Sequence, residues 1–149
     1  MHNLKLFLDL LYKEPVQLAP KLLYPSFEAV MEAHDMLIRA TGGDAGMIST
    51  SNLKYILETV HDIGNELKDE LIVVKTKAAY LIYNVIISHP FLDGNKRSAF
   101  EVAKRFLELN QWEFNPEEIE TFEALLSIAN GSLLQEGVEA WVGRNLRKR

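Results

Sequence analysis

Apolar side chains recur along most of the chain at intervals of three and four residues, the period of an amphipathic helix rather than the alternation of a strand. Leu4, Phe7, Leu8 and Leu11 predict a short helix that ends near Glu14-Pro15, since proline restricts the residue before it. Ser26 suits the N-cap of a helix over about Phe27 to Thr41, with Val30, Met31, His34, Leu37 and Ile38 on its inner stripe and Gly42-Gly43 as its stop. The Ser49–Ser51 cluster predicts the start of another, carrying Leu53, Ile56, Leu57 and Val60 and broken at Gly64. A long apolar segment then runs from about Asp69 to Ser88. Its β-branched start, Leu71–Val74, allows a short strand or flap, whereas Ala78, Ala79, Leu81, Ile82, Val85 and Ile86 read as a buried central helix. His89-Pro90 ends it, and the next helix begins near Asn95 with Ala99, Phe100, Ala103, Phe106 and Leu107 turned inward. Pro116 opens a further helix through Ala129, and a final one carries Leu133, Leu134, Val138, Trp141 and Val142. The pattern predicts an all-α bundle of five to seven helices with little or no sheet.

Composition narrows the chemistry. A chain of 149 residues that is 48% hydrophobic builds one ordinary core, so residues 1–149 are expected to form a single domain. The absence of cysteine removes disulfides, thiolate metal sites and thiol nucleophiles. A formal charge of −5 argues against direct nucleic-acid binding, because counterion-releasing basic surface is scarce. Only Arg144–Arg149 is locally basic, and it reads as a solvated helix end. The apolar Leu4–Tyr12 stretch is short and interrupted by charge, neither a signal peptide nor a membrane span, which makes the cytosol the default address and leaves no membrane partner.

Against that background residues 89–97, His-Pro-Phe-Leu-Asp-Gly-Asn-Lys-Arg, stand out as a dense set of catalytic residue types between two core helices. Gly94 permits a tight turn or close approach of a ligand, and the helix start after it presents N–H groups without acceptors. With the positive end of the helix dipole, the amides of Gly94–Arg97 suit phosphate oxygens, and Lys96 and Arg97 neutralise the remaining charge. Asp93 offers the hard oxygen ligands that Mg²⁺ takes when it also binds substrate phosphates, or it caps the helix. Asn95 bonds a phosphate oxygen or caps the helix. His89 is the natural general base, because an imidazole ordinarily titrates near neutrality. Phe91 and Leu92 peg the loop to the core, and His34, beside Asp35 on its helix's inner stripe, reads as a structural histidine.

The same nine residues resemble the signature of the Fic/Doc family, H-P-F-x-[D/E]-G-N-[G/K]-R. Gly42-Gly43 with Gly46, the Leu53–Leu57 helix, Ala78-Ala79 and the run Phe106 to Asn110 also resemble the small Doc-type domain, so that the likeness covers roughly residues 25–145. The resemblance implies a transferase that modifies a protein hydroxyl with a nucleotide such as ATP and Mg²⁺. It implies His89 as the base, Asp93 as the metal ligand, and Gly94, Asn95, Lys96 and Arg97 as the phosphate-binding residues. A flap over about Asn65 to Lys75 is expected to dock the target backbone by strand addition.

Lys96 stands where AMP-transferring relatives usually have glycine, and Doc-like members have lysine there. This implies transfer of the γ-phosphate to a Ser or Thr of a cytosolic protein, plausibly a translation elongation factor, by a toxin held in check by an antitoxin. Two positions depart from the relatives: Gly94 replaces the alanine of many Doc toxins, and Phe100 replaces a second arginine of many AMP-transferring ones. Ser132 to Gly137 formally matches an inhibitory pattern of some members, but its glutamate, Glu136, lacks the arginine it would pair with and reads as an exposed helix residue. AMP transfer is the alternative within the enzyme class, and a catalytically weak module binding protein or nucleotide is the alternative outside it.

Overall fold

The structure of the chain, a computed structural model, describes residues 21–149, so the short helix expected from Leu4 to near Glu14-Pro15 lies outside the described residues. Among the described residues six α-helices alternate with short connections. The first, α1 (Phe27–Thr41), begins where the Ser26 hydroxyl accepts from the Ala29 N–H at 3.1 Å, and it buries Val30, His34 and Ile38 at four-residue spacing. It stops at Gly42, whose φ of 85° a side chain rarely adopts. Helix α2 (Thr50–Thr59) is capped by Ser49, which accepts from the Asn52 N–H at 3.1 Å, and it runs into a single 3₁₀ turn over Val60–Asp62. It therefore ends before Gly64, which turns the chain instead of breaking the helix.

The central helix, α3 (Glu70–Ser88), starts earlier than the β-branched run suggests. Leu71–Val74 is helical, and no strand forms over residues 65–75, of which 65–69 are turn and irregular chain. The physical cause is local. Asp69 Oδ1 accepts from the N–H groups of Leu71 and Ile72 at 2.9 and 3.3 Å, and Val73 and Val74 are fully buried, so a cap and packing override strand propensity. Buried positions wrap around α3, from Val73 through Lys77, Ala78, Leu81 and Ile82 to Ile86, as expected of a helix surrounded by others. By length and hydropathy α3 would pass for a membrane span, yet half of it is buried inside the protein.

Buried Lys77 closes the 3₁₀ turn: its ammonium donates to the carbonyls of Val60 and His61 at 2.9 and 3.0 Å. Burial pulls its pKa down from the usual lysine value, and the nearby charges of Asp62 and Glu66 oppose the shift.

Helix α4 (Asn95–Leu109) packs most extensively on α3. After it Gln111, at φ 66°, turns the chain into β1 (Trp112–Phe114). Helices α5 (Glu118–Ala129) and α6 (Gln135–Arg144) follow, and β2 (Leu146–Lys148) returns antiparallel to β1 with Trp112 opposite Lys148. Among the described residues, this two-stranded sheet and an isolated bridge between Met47 and Phe91 are the β structure in an otherwise helical fold. The sheet also disposes of the C-terminal cations: Arg144, Arg147 and Lys148 pair with Glu120, Glu113 and Glu70. Trp112 and Trp141 are buried in the core.

Candidate active site

The end of α3 and the start of α4 are joined by the loop singled out in the sequence, and four contacts fix its shape. His89 ends α3 in the left-handed region (φ 50°, ψ 58°), its N–H still bonded to the Val85 carbonyl at 3.2 Å. That turn carries its imidazole to the surface. The Pro90 carbonyl accepts from the N–H groups of Ile48 and Ser49 at 2.8 and 3.1 Å, and the Leu92 N–H donates to Gly46 at 3.0 Å. Phe91, fully buried, pegs the loop into the core as expected, whereas Leu92, expected to do the same, is exposed.

Inside the loop, Asn95 closes a ring on Phe91. Its Oδ1 accepts from the Phe91 N–H at 3.0 Å and its Nδ2 donates to the Phe91 carbonyl at 2.8 Å. Both partners are buried, so the side chain is held by the loop itself. One amide hydrogen of Asn95 and its side-chain carbonyl oxygen are thus engaged within the loop, and the residue lines both hollows at the start of α4. The residue at the helix start is Gly94 (φ 80°, ψ 20°), and no side chain caps α4. The first amides of the helix, through Arg97, thus face outward without an intrahelical acceptor.

Asp93 does not cap α4 either. Its Oδ2 accepts from the Asp44 N–H at 2.7 Å, and its carbonyl lies 2.8 Å from His34 Nε2. A carbonyl only accepts, so Nε2 carries the hydrogen and donates. His34 is buried, and its ring stacks on Phe91 with centroids 3.7 Å apart. It is structural, and what it supports is the residue expected to hold the metal. The segment from Gly42 to Gly46 lies tight against the same carboxylate: a Cβ on Gly43 would stand 3.2 Å from Asp93 Cβ. The glycine cluster was a visible signal of a close approach, but nothing in the sequence said that it approached Asp93.

These constraints place the side chains around two connected hollows. His89, Asp93, Gly94, Asn95 and Lys96 line one of about 280 Å³. Gly94 to Arg97 also form one end of a groove of about 620 Å³, which continues along α4 past Phe100 and Lys104 and is walled by residues 115–125. Arg97 pairs with Glu101 at 2.9 Å, both side chains being substantially exposed. Such a pair is weak and gives way readily to a phosphate. Glu136 is exposed on α6 and lines neither hollow.

Among the described residues no three acidic, histidine or cysteine side chains gather as a metal cage. A single carboxylate with one oxygen tied to Asp44 and the other outside any hydrogen bond suits Mg²⁺, which keeps waters and completes its shell from substrate phosphates. The residues present fit that ion and not a metal that needs an all-protein site.

Among curated proteins none matches the chain. A family model, that of the Fic/DOC family, matches residues 24–107, more than half of the chain, and this stretch holds α1 to α3, the whole loop and α4 as far as Leu107. A helix-flanked loop bearing a surface histidine, a braced carboxylate and an uncapped helix start lies within the matched residues, and the chain belongs to the Fic/DOC family, whose members are in general transferases that move a nucleotide-derived group onto proteins.

Proposed function

We propose that the chain is a Doc-like phosphotransferase that moves the γ-phosphoryl group of ATP to a Ser or Thr hydroxyl of a cytosolic protein. The observation that carries this reading is the shared hollow of His89, Asp93 and Lys96 at the open start of α4. His89 Nδ1 or Nε2 takes the hydroxyl proton as the oxygen attacks phosphorus. The new O–P bond forms in line with the breaking one, and the nucleoside diphosphate leaves with the electron pair. The outward amides of α4, with Lys96 and Arg97, hold the phosphate oxygens and the charge that spreads over them. Asp93 would hold Mg²⁺, which would supply positive charge to offset that of the phosphates.

Lysine at position 96 favours this chemistry over AMP transfer, because a long cationic side chain fills the room that a glycine leaves beside the helix start. The Doc-like character of the loop also supports a toxin whose target is a translation elongation factor and whose restraint is an antitoxin protein. Of the segment expected to dock the target backbone, residues 70–75 are helical, which leaves residues 65–69 as its non-helical part.

The deciding experiment incubates the purified protein and a cell lysate with ATP labelled at the α or the γ position. The γ label is expected on a protein band, lost by about 10²–10⁴ in His89→Ala. Retention of the α label would replace phosphoryl by AMP transfer. No label from either, with wild type equal to His89→Ala, would leave the binding-module reading.

A further inference from the structure

Beyond the loop, the larger groove carries a cation that the family signature does not contain. Lys104 lines it seven residues after Arg97, on the same helix and the same wall. Two turns of α-helix separate their backbones by about 10 Å at 1.5 Å per residue. Side chains on a helix lean toward its N-terminus, so the four-carbon stem of Lys104 reaches back along the groove toward the anion-binding end. Lys104 is half-buried, and among the described residues neither it nor Lys96 has a carboxylate partner, although Arg97, Arg144, Arg147 and Lys148 all do. A cation that lines a groove of about 620 Å³ without a carboxylate partner is available to an anion bound there.

The opposite wall differs. It presents Phe122, an aromatic ring 66% exposed on α5, together with Leu125 and a single carboxylate, Glu118. Anionic groups are therefore drawn to the α4 side, where Lys96, Arg97 and Lys104 stand, and away from Glu118. The apolar ring across from them covers a flat organic group. Resting on the proposed function, we infer that Lys104 is a second phosphate-binding residue, placed one to two turns beyond the loop, so that the groove selects a donor with a chain of phosphates over one with a single phosphate. A triphosphate anchored at Gly94–Arg97 extends further along the groove toward Lys104 than a monophosphate does.

Binding alone tests this, without turnover. ATP and AMP are titrated by calorimetry into wild type, Lys104→Gln and, as a control on the exposed side of the same helix, Arg105→Gln. The expected result is a rise of about tenfold in the ATP Kd for Lys104→Gln, with the AMP Kd changed less than twofold and Arg105→Gln equal to wild type for both. An equal loss for ATP and AMP, or no loss for either, overturns the role of Lys104 while leaving the proposed function standing. Wild type that binds neither nucleotide removes both.

Discussion

Of the side chains around the loop, His34 shows most clearly how a residue far from the chemistry sets its geometry. The imidazole does not face the hollow that His89 and Asp93 share. It is buried, stacked on Phe91, and donates from Nε2 to the Asp93 carbonyl, a contact across 59 positions of sequence. The Asp44 N–H fixes one carboxylate oxygen of the same residue from the opposite side. Asp93 is thereby braced at both its backbone and its side chain. Such supporting contacts commonly tune metal affinity by 10–100-fold. His34→Phe keeps a ring on Phe91 but removes the donor. It is expected to raise the Mg²⁺ concentration needed for half-maximal ATP binding about tenfold. An unchanged Mg²⁺ requirement would show that His34 only fills the core. The chemistry-bearing residues themselves were legible, since nine consecutive positions carry them. Their supports were not: Asn95 had two plausible uses by type, and the structure assigns it a third, the closure of a ring on Phe91.

Among the elements, α3 illustrates where periodicity suffices and where it fails. The spacing of its alanines and aliphatics announced a buried helix, and the structure has one from Glu70 to Ser88. Its first turn is helical where the β-branched run Leu71–Val74 also allows a short strand or flap, because the Asp69 cap and the burial of Val73 and Val74 outweigh strand propensity. The pairing of β1 with β2 was equally out of reach, since it joins segments more than thirty residues apart and each has only three residues.

Lys77 belongs to this scale too, because it ties α3 to the 3₁₀ turn that follows α2. Replacing it with Met leaves two backbone carbonyls without their charged donor, at a cost of about 1.5–3 kcal/mol near neutral pH by urea denaturation. The pH dependence has a definite sign. Burial holds the folded-state pKa of Lys77 below its unfolded value of 10.5, so the folded chain binds its proton less tightly than the unfolded one. The contribution of the group to stability therefore rises with pH through the window below 10.5 and falls as pH drops through the folded value. The difference between wild type and Lys77→Met is expected to widen as pH rises toward 10.5. A difference that narrows there would contradict the assigned desolvation.

For the molecule as a whole, the division of labour follows from the helix order. Helices α3 and α4 form the frame, the loop between them carries the candidate site residues, and the Gly42–Ser49 segment clamps that loop from outside through Asp93, Leu92 and Pro90. Family and fold class were readable because the loop is continuous in sequence and the helices are periodic. The groove along α4 was not, because its far wall comes from residues 115–125, which meet it only in three dimensions. The central physical claim is that a single braced carboxylate and an uncapped helix start act together on a metal–phosphate pair. Calorimetric titration of ATP with and without Mg²⁺, in wild type and Asp93→Asn, tests it most directly. Mg²⁺ is expected to tighten ATP binding to wild type about tenfold or more and to do nothing for Asp93→Asn. Equal Mg²⁺ dependence in the two proteins, or none in wild type, would contradict the account.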